Sequence, residues 1–139
     1  MVMTLQIPAM IFDEMVEHAR SELPHECVGM LLGQTDGQAT HYIALVNELQ
    51  SPTRFLTEAM SMLRAEKKRR ELNLEVLAIV HSHPTSDPIP SQYDKADHYS
   101  SDVVCLILSL KEKEPNLQGW WINPDGVMPA SVVVQQATA

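Results

Sequence analysis

The sequence is poor in the residues that mark secreted or nucleic-acid-binding proteins. Its 139 residues include only two cysteines, Cys27 and Cys105, too few for a disulfide framework. Both lie in apolar segments, so we expect buried thiols that act as small core residues. The 10 Lys and Arg against 18 Asp and Glu give a formal net charge of −8. This balance argues against binding to a phosphate backbone.

Long apolar runs and a basic leader are also missing. No run approaches the roughly 20 residues that span a bilayer. Residues 1–4 contain no basic residue, so no secretory signal is expected. Together with the scarcity of cysteine, these features predict a cytoplasmic protein without a membrane partner. The 45% of apolar residues is enough for a core, and the length predicts one domain over residues 1–139.

The spacing of apolar residues predicts alternating helices and strands. Helices are expected over residues 8–23, 57–73 and 91–100. Strands are expected over residues 27–32, 39–46, 76–80 and 103–110, followed by a closing hairpin of 117–122 and 127–134. This alternation predicts an α/β fold with a central sheet flanked by helices.

One segment carries residues suited to metal chemistry: His81-Ser82-His83-Pro84, with Ser91-Gln92-Tyr93-Asp94 after six further residues. In extended backbone His81 and His83 point the same way. Asp94, in the first turn of the next helix, would be a third ligand. Two imidazoles and a carboxylate suit zinc and leave the fourth tetrahedral position for water, as in catalytic sites.

Simpler interpretations of the same residues stay open on spacing alone. A His-x-His pair at a strand end also occurs by chance, and Ser91-x-x-Asp94 is a helix capping box. The two interpretations are compatible, because a capped helix would still leave one oxygen of Asp94 for a metal. The chain lacks the His-Glu-x-x-His pattern of zincins and the Pro-Cys-x-x-Cys pattern of deaminases.

The motif resembles the metal motif of the JAMM, or MPN+, family of zinc isopeptidases. The resemblance covers most of the chain, through Pro24-His25-Glu26, Gly29, Leu31-Leu32-Gly33, Ser51-Pro52-Thr53-Arg54-Phe55 and the run from Cys105 to Leu110. It implies a single JAMM/MPN domain of the compact prokaryotic type. Its fold would be cytidine-deaminase-like, with a central mixed β-sheet flanked by helices.

The resemblance also implies roles for individual residues. His81, His83 and Asp94 match the ligands of Zn²⁺. Glu26 matches the glutamate that takes a proton from water and passes it to the leaving amine. Ser91 matches the serine that helps to stabilise the tetrahedral oxyanion.

Two of these roles have structural alternatives. Glu26 would otherwise be a solvated carboxylate before a strand, with Glu22 as a competitor, and Ser91 would be only a helix cap. His98, four residues after Asp94, is expected to be a surface histidine rather than a support for that ligand.

The implied function is hydrolysis by a zinc metallopeptidase or isopeptidase. Its substrate would be a peptide or isopeptide bond at the C-terminus of a small ubiquitin-like or sulfur-carrier protein, with no nucleic-acid partner. A non-catalytic MPN-type interaction scaffold is the alternative, and a purely structural metal is a third possibility. The enzyme is favoured because all the metal-ligand residues of the family motif are present in this sequence.

Overall fold

The protein is built around a six-stranded mixed β-sheet. The computed structural model describes residues 4–136. Its elements in chain order are β1 (Leu5–Pro8), α1 (Ala9–Ser21), β2 (Val28–Gly33), β3 (Ala39–Leu45), α2 (Ala59–Leu72), β4 (Glu75–His83), α3 (Gln92–Ala96), β5 (Val104–Ser109), β6 (Asn116–Asn123), β7 (Gly126–Ala130) and β8 (Val132–Gln135).

The main sheet has the strand order β3-β2-β4-β5-β6-β7, and β1 pairs with β8 in a separate two-stranded sheet. Within the main sheet β4 and β5 run parallel, and the other neighbouring strands are antiparallel. The predicted α/β class with a central mixed sheet is therefore confirmed.

The central strands β2, β4 and β5 are buried along most of their length. Their side chains alternate between two core layers. Leu31 and Ala78 pack in the layer that contains α1. Met30 and Ile79 pack in the other layer, together with Ala65 of α2. The two long helices therefore cover opposite faces of the sheet, which explains why the central strands are apolar without interruption.

The chain ends differ from the prediction. Leu5–Pro8 forms a strand where none was predicted, and residues 127–134 form two strands rather than one. The single-strand prediction was wrong because β7 stays in the main sheet while β8 leaves it to pair with β1, Leu5 opposite Val132. Strands of this length hold too few residues to show a periodic pattern.

The internal elements agree more closely with the prediction. Helices α1 and α2 begin and end within two residues of the predicted bounds. Helix α3 is shorter than predicted and ends at Ala96, whereas β4 continues through His83. Both histidines of the motif therefore lie in the strand itself. No helix within residues 4–136 is long and apolar enough to cross a membrane. Residues 1–3, part of the segment considered for a signal, and residues 137–139 lie outside the described residues.

Candidate metal centre

Two imidazoles and a carboxylate meet where β4 ends and α3 begins. The Nε2 atoms of His81 and His83 are 3.2 Å apart. Asp94 Oδ2 lies 3.1 Å from Nε2 of His81 and 3.0 Å from Nε2 of His83. Ligands of a tetrahedral zinc ion at its usual bond lengths are about 3.3 Å apart. The three atoms therefore have nearly the separations that one metal ion requires.

The hydrogen bonds around these ligands also fit a cation. Nδ1 of His83 donates to the carbonyl oxygen of Asp87 at 2.7 Å, which leaves Nε2 for the metal position. Burial opposes ionisation of Asp94, but hydrogen bonds from both histidines hold the pKa of this carboxyl well below its ordinary range. Two imidazole nitrogens and a carboxylate oxygen held this close together could bind one divalent cation.

The carboxylate ligand is held by the start of its own helix. The backbone N–H of Ser91 donates to Asp94 Oδ2 at 2.9 Å, and the N–H of Asp94 donates to Ser91 Oγ at 3.1 Å. This reciprocal pair is the predicted capping box. The Ser91 hydroxyl accepts in the cap, so its own proton is still available to donate. The cap and the oxyanion role of Ser91 are thus compatible.

The proline-containing loop between β4 and α3 is tied to the sheet by side chains from β5, β6 and the segment after β5. Ser109 Oγ donates to the carbonyl of Ser86 at 2.6 Å, and Trp120 Nε1 donates to the carbonyl of Pro88 at 2.9 Å. Lys111 Nζ lies 3.2 Å from Asp87 Oδ1. This role of Trp120 was not predicted from the sequence, where the only indication is the general need of a buried indole N–H for an acceptor.

Glu26 is a buried carboxylic acid next to the ligand group. Its residue surface is only 2% exposed, and Oε1 has no hydrogen-bond partner within residues 4–136. Burial raises its pKa to about 8, with His83 opposing and Asp94 adding to the shift. Glu22, the competing carboxylate, is exposed. The expectation that Glu26 might be an ordinary solvated acid is therefore excluded.

Asn47 holds the backbone around Glu26, a role that sequence analysis missed. Its Nδ2 donates to the carbonyl of Glu26 at 3.0 Å and to that of Arg54 at 3.2 Å. Its Oδ1 accepts from the N–H groups of Leu49 at 3.1 Å and Leu56 at 3.0 Å. A single asparagine after a strand has no distinctive spacing, so only the structure could find it.

Ser82, between the two histidines, joins β4 to the residue after Glu26. The N–H of Cys27 donates to Ser82 Oγ at 2.8 Å, and the N–H of Ser82 donates to the carbonyl of Cys27 at 3.1 Å. Because side chains alternate along a strand, Ser82 points away from the metal ligands. This serine therefore couples the position of Glu26 to the strand that carries both histidines.

Both cysteines are buried, as the sequence predicted. Burial raises the pKa of Cys27 to about 11 and that of Cys105 to about 12. Since the thiolate is the reactive form, neither thiol is suited to nucleophilic chemistry at neutral pH.

Comparison with known proteins identifies the family. A protein-family model, described as prokaryotic homologs of the JAB domain, matches residues 8–123 of the chain. The chain belongs to this family. The resemblance inferred from the His81, His83 and Asp94 motif is thereby confirmed.

Two curated members of the family have informative names. The chain is 29% identical to the CysO-cysteine peptidase of Mycobacterium tuberculosis over 138 residues, which cover 96% of this chain and 94% of that protein. It is 33% identical over 93 residues to the probable TtuB-protein conjugate cleaving protease of Thermus thermophilus, covering 66% of this chain. The chain spans 62% of the length of the Thermus protein, less than two thirds.

Solved structures share the fold of this family member. A solution structure of a protein from Desulfitobacterium hafniense has a TM-score of 0.87 and 31% identity, covering 97% of this chain and 94% of that one. The JAB1/MPN domain protein of Archaeoglobus fulgidus has a TM-score of 0.59 at 18% identity, over 94% of this chain and 98% of that one. The second likeness concerns the fold alone.

Proposed function

We propose that this JAB-family chain is a zinc-dependent peptidase or isopeptidase that acts at the C-terminus of a small ubiquitin-like or sulfur-carrier protein. The convergence of His81, His83 and Asp94 beside the buried acid Glu26 carries this proposal. The names of the mycobacterial and Thermus relatives support the substrate class, since one refers to CysO joined to cysteine and the other to conjugates of TtuB with protein.

The chain would hold zinc through Nε2 of His81, Nε2 of His83 and Asp94 Oδ2. When bound there, zinc would polarise the scissile carbonyl and make a water molecule acidic at neutral pH. The carbonyl of Asp87 keeps the proton of His83 on Nδ1, and the N–H of Ser91 orients the carboxylate of Asp94. These contacts fix ligand geometry before substrate arrives.

Glu26 would move the proton during hydrolysis. Burial raises the pKa of its carboxyl group to about 8, and a cation at the candidate metal centre would favour the carboxylate form. A group that titrates near the working pH can both accept a proton from water and return it to the leaving amine. The carbonyl of Ser51 and the side chain of Asn47 hold the backbone of Glu26, which limits the positions that its carboxyl group can take.

Ser91 would donate its hydroxyl proton to the developing oxyanion while its oxygen caps α3. Variants can separate these functions. Ser91→Thr should keep both, whereas Ser91→Asp should keep the cap acceptor but lose the donor. Equal activity of the two variants, at equal metal content, would show that Ser91 acts only as a helix cap.

The deciding experiment combines a metal assay with cleavage of carrier proteins that bear C-terminal adducts. Purified chain should contain about one zinc ion. A chelator should abolish cleavage, and added zinc should restore it. Glu26→Gln should retain zinc and lose about 10²–10⁴-fold in kcat. Glu22→Gln, at an exposed carboxylate, is the matched control and should behave as wild type.

The alternatives give different results in the same assay. Folded protein without metal at neutral pH would favour the non-catalytic scaffold. Bound zinc with full activity in Glu26→Gln would overturn the proposed proton transfer. A structural metal requires a fourth protein ligand, whereas the group formed by the described residues supplies three.

A further inference from the structure

A mainly apolar cavity opens beside the candidate metal centre. Its volume is about 200 Å³, and two of the ligands, His81 and Asp94, form part of its wall. The rest of the wall comes from the loop before α2, from α2, β4 and β5, and from the segment after α3; its main apolar members are Phe55, Leu56, Met62, Ile79, Tyr99 and Cys105. A group bound in this cavity would lie next to His81 and Asp94.

The size of the cavity suits one medium-sized side chain. An apolar protein cavity of about 150 Å³ is large enough to bind benzene. The larger volume here would hold the side chain of leucine, methionine or phenylalanine. A glycine or alanine would leave most of it unfilled, and the apolar contact would then be lost.

The polar groups on the wall do not call for a charged occupant. Asp97 is already paired with Arg54, whose Nη2 lies 3.1 Å from Oδ2. The guanidinium group of Arg54 also lies 4.7 Å from the ring centre of Tyr93. His98 lines the cavity, and its Nε2 is buried without a hydrogen-bond partner in the part of the chain that the structure describes. A mainly apolar group with at most one hydrogen-bonding atom is therefore the best match.

We propose that this cavity is a specificity pocket for an apolar side chain of a residue that flanks the scissile bond. The inference rests on the proposed function, because that function places the reacting carbonyl at His81, His83 and Asp94. Adjacent Cα atoms are about 3.8 Å apart, so a flanking residue lies within reach of a wall that the ligands themselves help to form. An apolar residue can flank the scissile bond on the carrier side or on the side of the leaving amine. Substrates that vary one side at a time distinguish these two positions.

The test measures kcat/KM for two substrate series. One series carries glycine, alanine or leucine on the amine side, and the other carries these residues at the end of the carrier. Wild type should favour leucine in one series by about 10–200-fold, the range that small changes in an apolar pocket produce. The series that shows the preference identifies the side. Equal kcat/KM values throughout both series would overturn the pocket.

A matched pair of tryptophan variants locates the effect. Met62→Trp would fill the cavity from α2, whereas Leu63→Trp alters the next residue of the same helix, which is 61% exposed. Met62→Trp should lower kcat/KM much more for leucine substrates than for glycine substrates, which removes the preference for leucine. Leu63→Trp should behave as wild type. An equal loss on glycine and leucine substrates in Met62→Trp would contradict the proposal.

Binding measurements keep this inference separate from the proposed activity. L-leucinamide and N-acetyl-leucine, with glycinamide and N-acetyl-glycine as controls, can be titrated into the protein and followed by NMR. A leucine probe should shift signals from the cavity wall in wild type and in Leu63→Trp, but not in Met62→Trp. If no adduct is cleaved, the proposed function fails while this titration still decides the pocket. Absence of any leucine-specific shift would overturn it.

Discussion

Replacing Asn47 by alanine should loosen the backbone that carries Glu26 without touching a metal ligand. The side chain of Asn47 serves four backbone groups, two carbonyls and two N–H groups, at 3.0–3.2 Å. Asn47 is itself 9% exposed, so water has little access to replace these bonds. The substitution therefore leaves the carbonyl of Glu26 and three backbone groups of the 47–57 loop without these partners.

The magnitude follows from the number of bonds. Each net hydrogen bond contributes about 1 kcal/mol, and an unpaired buried group costs about 1–3 kcal/mol. Allowing for partial relaxation of an exposed loop, Asn47→Ala should lower the free energy of unfolding by about 2–4 kcal/mol. In a domain of this size, that loss lowers Tm by roughly 5–15 °C.

Urea unfolding and thermal melts would measure this loss, with metal content assayed in parallel. Asn47→Asp is the informative companion variant. It keeps the oxygen that accepts from Leu49 and Leu56, but it replaces the donating amide by a second carboxylate oxygen, which faces the carbonyl oxygens of Glu26 and Arg54. It should be at least as unstable as Asn47→Ala. Asn116→Ala, at an exposed asparagine, should be close to wild type. A stable Asn47→Asp variant, or loss of metal in Asn47→Ala with stability unchanged, would refute the reasoning.

Three further predictions test other parts of the structure. Burial raises the pKa of Glu26 from 4.5 to about 8, so metal-stripped wild type has its full stability below the lower value and loses it as pH rises through the upper one. Urea unfolding at about pH 5 and about pH 9 should show a loss on the order of a few kcal/mol that Glu26→Gln lacks, and parallel pH profiles would contradict this. Gly29→Ala should cost about 1–3 kcal/mol in urea unfolding, because its Cβ would overlap the Tyr42 ring. Adding Tyr42→Phe to Gly29→Ala should not restore stability, since the new Cβ overlaps the ring carbons of residue 42 as well as the hydroxyl. Ser82→Ala removes the acceptor of the Cys27 N–H and should cost about 1–3 kcal/mol. Hydrogen exchange at Cys27 should accelerate in this variant, and unchanged exchange would argue against that bond.

The convergence of the candidate metal ligands could be predicted because their geometry is local. His81 and His83 are two residues apart in a strand, and Asp94 lies in a capping box that four adjacent residues define. Alternation of side chains along a strand and capping of a helix both involve residues that are close together in the chain, so both can be recognised from the sequence. The buried strands were predictable for the same reason, since continuous apolar runs require cover on both faces.

The supporting residues were not predictable from such rules. Asn47, Ser82 and Trp120 each bond to backbone that is distant or irregular. The pairing of β1 with β8 likewise depends on a contact between the two ends of the chain. Propensity and periodicity describe neighbours along the chain, and they contain no information about which loop will pass near a given side chain.

Glu26 shows why a candidate functional acid is difficult to find from sequence alone. In the sequence it is one of several carboxylates near a strand, and only the resemblance selected it. In the structure it is buried, has an Oε1 without a partner in residues 4–136, and has a raised pKa. His81 Nδ1 is also buried without a partner there. Buried polar groups without partners reduce stability, and natural proteins retain them mainly where chemistry requires it. A cation held by His81, His83 and Asp94 would offset part of this cost, which ties the stability of the site to its metal.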